Sequence, residues 1–77
     1  MINDIIARGL LRYKPLFMHY RKKYQDLPKD TYISDYNYCF WLACMTYHPD
    51  DDLFREYFII LLESQLKQSQ IENARWI

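Results

Sequence analysis

Seventy-seven residues make one small domain. A domain of this size buries only about 60–65% of the surface its unfolded chain exposes, so it needs dense packing, a staple or a partner. Aromatic residues make up 18% of the chain, eight of them tyrosines, and glycine occurs once, which excludes a disordered or collagen-like chain. Formal net charge is zero, but the charge is divided: residues 1–29 carry seven Lys/Arg against two acids, and residues 30–63 carry one Arg against seven acids.

The first predicted helix covers residues 3–25. Asn3 can cap it, and Asp4 complements the positive end of the helix dipole. Its apolar positions Ile6, Leu10, Tyr13, Phe17, Tyr20, Tyr24 and Leu27 repeat at alternating spacings of four and three, the seam of a helix laid along another helix. Pro15 interrupts this pattern, since an interior proline removes a backbone bond and costs about 3 kcal/mol. It falls on the face away from the seam, which predicts one bent helix, or two shorter ones if the chain breaks there.

Residues 27–32, marked by Pro28 and turn-forming polar side chains, read as a loop. A second helix is expected over residues 34–47, closing before Pro49, which disfavours helix at His48. Within it, residues 38–45 have no polar side, the signature of a helix buried all round. Asp50, Asp51 and Asp52 then open a third helix over residues 50–72. Its main apolar stripe is Leu53, Phe54, Tyr57, Phe58 and Leu61, and a second row, Ile59, Leu62 and Leu66, lies beside it. The expected fold is a single all-α domain over residues 1–77, a three-helix bundle that becomes four if helix 1 breaks at Pro15.

Cys39 and Cys44 stand five apart in one helix, about 7.5 Å along its axis, too far for a mutual disulfide. Two thiols of this kind fit a reducing compartment. Residues 1–4 lack the pattern of a secretory signal, and no apolar run approaches the roughly 20 residues that span a bilayer. The expectation is a cytoplasmic protein without membrane insertion.

No motif for catalysis, cofactor or metal stands out. Cys44 and His48 are four apart, but a second ligand pair is missing and the neighbouring aspartates read as a helix start. The lone glycine, Gly9, makes no phosphate loop. No enzyme activity and no cofactor are therefore expected.

The apolar helix surface exceeds what three helices can hide from water, and such a surplus marks interaction sites. The chain is therefore expected to act by binding protein, as a homodimer, on a larger partner, or both. Ile59, Leu62 and Leu66, with Trp76 and Tyr32 as aromatic anchors, are the expected interface. A stoichiometric inhibitor or regulator, of the sort phages and mobile elements encode, fits this description. The alternative is a small nucleic-acid-associated regulator, using Arg8, Arg12, Lys14, Arg21, Lys22 and Lys23 with interleaved tyrosines. Because the tyrosines lie on the seam and the chain is neutral, that basic set suits an acidic protein partner better than nucleic acid.

Overall fold

The computed structural model describes residues 8–75. Among them the chain is all-α: residues 8–12 are helical (α1), followed by α2 at Lys14–Lys23, α3 at Lys29–Thr46 and α4 at Asp52–Arg75. Of the two readings of helix 1, the broken one holds. Tyr13 leaves helical geometry (φ −96°, ψ 16°) just ahead of Pro15, which sits in the first turn of α2. Proline has no N–H to give the carbonyl four residues back and its ring crowds that group, so the turn before it opens. The interruption is slight. The Tyr13 amide still bonds the Gly9 carbonyl and the Phe17 amide the Tyr13 carbonyl, both at 3.0 Å.

α3 begins at Lys29, five residues before the expected Ser34. Pro28 is its N-cap, with extended backbone (φ −55°, ψ 142°). Lys29, Asp30 and Thr31, polar residues that look like loop, form the first turn, where Asp30 complements the helix dipole. Tyr32 is thus a helical residue, not a loop anchor. At the far end Tyr47 turns extended ahead of Pro49, and the Asp51 carboxylate accepts the Leu53 amide at 2.9 Å to start α4.

The contacts fix the topology. Asp35 meets Ser69, Cys39 meets the Leu61 carbonyl and Tyr47 meets Tyr57, so α3 and α4 form an antiparallel hairpin. α1 and α2 lie in its groove, antiparallel to α3 through Tyr13–Tyr36 and Phe17–Tyr32. They run parallel to α4 through Tyr20–Glu63 and Asp26–Gln70. The bundle measures 41 × 19 × 18 Å.

Its core is built from rings. Phe40, Phe54 and Phe58 pack at 5.2–5.9 Å between centroids, and Tyr13, Phe17 and Tyr36 extend the cluster. Tilted and edge-on pairs of this kind add about 0.5–1.5 kcal/mol each beyond area burial. Tyr32 and Tyr36 also donate hydroxyl hydrogen bonds to the main-chain carbonyls of Phe17 and Tyr13. Large rings are thereby buried without stranding their polar tips.

Candidate interaction surfaces

The row expected to form an interface is core. α4 turns Phe54, Phe58, Leu62 and Leu66 inward, a ridge of four-residue steps, and Leu62 and Leu66 are 0% exposed. Ile59 is half-buried against that core, and Tyr32 is 0% exposed. Leu62, Leu66 and Tyr32 are therefore closed to a partner. α4 is apolar over most of its girth, and the rings of Phe54 and Phe58, fitting against Phe40, decide which side faces in. Trp76 lies outside the described residues.

The apolar surplus is real but sits elsewhere. α3 is not buried all round: its outer side carries Tyr38, Trp41 and Met45, the last 68% exposed. Leu11 and Met18 face outward from α1 and α2, and Leu53, Ile60 and Ile71 from α4. Between the N-terminal helices and α3 runs an open groove of 550 Å³, lined by Leu10, Leu11, Lys14, Phe17, Ile33 and Asn37. Among the described residues Lys14 is the one charged lining residue and none is acidic. A sign of this surface was present in the sequence: Leu11 and Met18, seven apart, stand off the seam on what should be a polar side.

The structure does not gather the basic residues of the N-terminal helices into one band. Arg12 is ion-paired with Asp50 and lines a 280 Å³ pocket with Arg8, Gly9, His48 and Pro49. In that pocket the Asp50 amide donates to His48 Nδ1 at 3.1 Å. The Asp50 carboxylate lies 3.5 Å from the same nitrogen.

Arg21 is turned the other way. It donates to the Leu27 carbonyl at 2.9 Å and lies over the Tyr32 ring. Lys23 covers the rings of Tyr20 and Tyr24, while Lys22 is exposed. The tyrosines interleaved with these basic residues are core residues: Tyr20 and Tyr24 are buried, and Tyr13 packs on Phe54.

Neither thiol is placed for chemistry. Cys39 is buried, faces the Leu61 carbonyl, and burial pushes it up to about 12. Cys44 is half-buried and shifted upward for the same reason. A thiol held protonated is a poor nucleophile and a poor metal ligand. Among the described residues no three His, Cys, Asp or Glu side chains converge as a metal site, and no helix is long and apolar enough to cross a membrane.

Compared with known proteins, the chain matches no family model, no curated protein and no solved structure.

Proposed function

We propose that this chain is a non-catalytic binding protein, a stoichiometric regulator that works by occupying a helix of a larger protein. The occupant is an amphipathic helix whose apolar ridge is flanked by acidic residues. The groove of Leu10, Leu11, Phe17 and Ile33 is the observation that carries this reading.

A groove between two helices takes a third helix through anchors at three- and four-residue spacing, as amphipathic segments commonly dock. The charge at the groove selects the sign of the guest. Lys14 lines it, Arg21 lies over the ring of Tyr32, next in sequence to Ile33, and no carboxylate is among its described lining residues. Opposite charge steers encounter and sets register, and like charge repels. Binding of this kind needs no reactive group, and a small domain gains stability from its partner by mass action.

The test uses two short synthetic helices with the same leucine ridge, one flanked by glutamates and the other by lysines. Titrated into isotope-labelled protein, the glutamate helix should shift the amides of Leu10, Leu11, Lys14, Ile33 and Asn37. It should bind roughly tenfold tighter than the lysine helix, a difference of about 1.4 kcal/mol. Lys14→Glu should invert the preference and Leu11→Asp should abolish binding. Equal affinity for both helices, or shifts confined to other surfaces, defeats the proposal.

A further inference from the structure

The outer side of α4 carries a seam of its own. Leu53, Tyr57, Ile60, Ser64, Lys67 and Ile71 follow one another at spacings of four, three, four, three and four, the repeat that keeps one side of a helix against a neighbouring helix. Inside the bundle α4 meets its neighbours through the ridge of Phe54, Phe58, Leu62 and Leu66, so this seam is additional to the core. Leu53, Ile60 and Ile71 are 53%, 66% and 51% exposed, Ser64 and Lys67 are exposed, and Tyr57 is half-buried against Tyr47. The six positions cover about 27 Å at 1.5 Å per residue, most of the 41 Å long axis of the molecule.

We infer that this seam pairs with the same seam of a second copy, antiparallel, about a twofold axis through the middle of α4. The charges choose both the occupant and the direction. In a parallel pair Lys67 would face Lys67 across the contact. In the antiparallel pair, centred at position 62, the partner's Lys67 comes opposite Tyr57 and beside Glu56. That places an ammonium against a ring and a carboxylate.

The same register puts Leu53 against the partner's Ile71 at both ends, and Ile60 against the partner's Ser64 on either side of the axis. The small serine there lets the helices approach closely. A twofold arrangement satisfies every one of these pairings twice. It also runs the start of α4 beside the end of the partner's helix, so the two helix dipoles oppose one another.

A single helix seam covers less than the roughly 800 Å² per partner of a standard interface, so the dimer is a weak one and forms with rising concentration. This inference concerns a surface separate from the groove and stands or falls without it.

Sedimentation equilibrium from low micromolar to near-millimolar protein tests it. The native chain should pass from monomer to dimer. Ile60→Glu, a change at an exposed position that circular dichroism should show to be folded, should weaken dimerisation roughly tenfold or more. Lys67→Glu should weaken it roughly fivefold, and the double change Glu56→Lys with Lys67→Glu should restore it.

A chain monomeric throughout, or a dimer indifferent to Ile60→Glu, overturns the seam. Failure of the double change to rescue overturns the antiparallel register. Ile60→Glu should also leave the preference for the glutamate helix intact, which separates this result from the fate of the groove.

Discussion

Gly9 lies directly against the ring of Phe40: a Cβ at position 9 would stand 2.5 Å from Phe40 Cζ and 3.1 Å from Cε1. The ring is 0% exposed and held between Phe54, Phe58 and Tyr13, so it has no room to withdraw. This glycine is kept for closeness of approach and has no positive φ. In an exposed helix, glycine to alanine would gain about 1 kcal/mol. Here the overpacking penalty of about 1–3 kcal/mol outweighs that gain. Gly9→Ala should therefore lower the urea midpoint, by a net of about 1 kcal/mol. A rise in the midpoint would show that α1 does not rest on Phe40.

Ser69, the buried polar residue of the core, donates its hydroxyl to Asp35 at 2.5 Å, and Gln65 donates to the same carboxylate at 3.3 Å. These bonds clamp the far end of the α3–α4 hairpin. Ser69→Ala should cost about 1–2 kcal/mol in chemical denaturation, as expected for a bond to a charged group. The exposed Ser64→Ala should stay within about 0.5 kcal/mol of the native chain. Equal effects at the two serines would remove the clamp from the account.

Four tyrosines resist ionisation. Burial, with the hydrogen bond to Glu63, pushes Tyr20 up to about 12, and burial also raises Tyr24, Tyr32 and Tyr36. Unfolded tyrosines ionise near pH 10. Above that pH the unfolded chain has shed protons that the folded chain still holds, so stability falls as pH rises. Cys39 and Cys44 act in the same sense from a lower starting point, near pH 8.5. The fold should be at full strength below about pH 8 with respect to these groups. It should lose stability steadily above pH 10, with the tyrosinate absorbance of the buried rings appearing together with the loss of helical dichroism. All eight tyrosines titrating while the helices stay intact would contradict the packing.

Much of the fold was legible because periodicity records which side of a helix is covered. The seam of the N-terminal helices coincides with the core wherever the structure describes it: Leu10, Tyr13 and Phe17 pack on the core and Tyr20, Tyr24 and Leu27 are in it. Where periodicity is silent, packing decides which side faces in. α4 offers apolar residues on most sides, so spacing alone could not choose between Leu53 and Leu62 as the inner residue; ring-on-ring fit at Phe54 and Phe58 chose. The start of α3 was missed because Lys29, Asp30 and Thr31 are as suited to a first helical turn as to a loop. The groove was invisible for another reason: it is made by residues of two helices, Leu11 and Ile33 among them, whose distance in space the sequence does not record.

Met18 and Met45 stand 60% and 68% exposed on the outer sides of α2 and α3, and the buried hydrophobic core includes no methionine among the described residues. Conversion of these thioethers to sulfoxides by a peroxide adds a polar oxygen to each. Such damage alters the coat of the bundle and leaves its ring-filled centre chemically untouched, so an oxidant can change what the outer surfaces adhere to without melting the helices beneath.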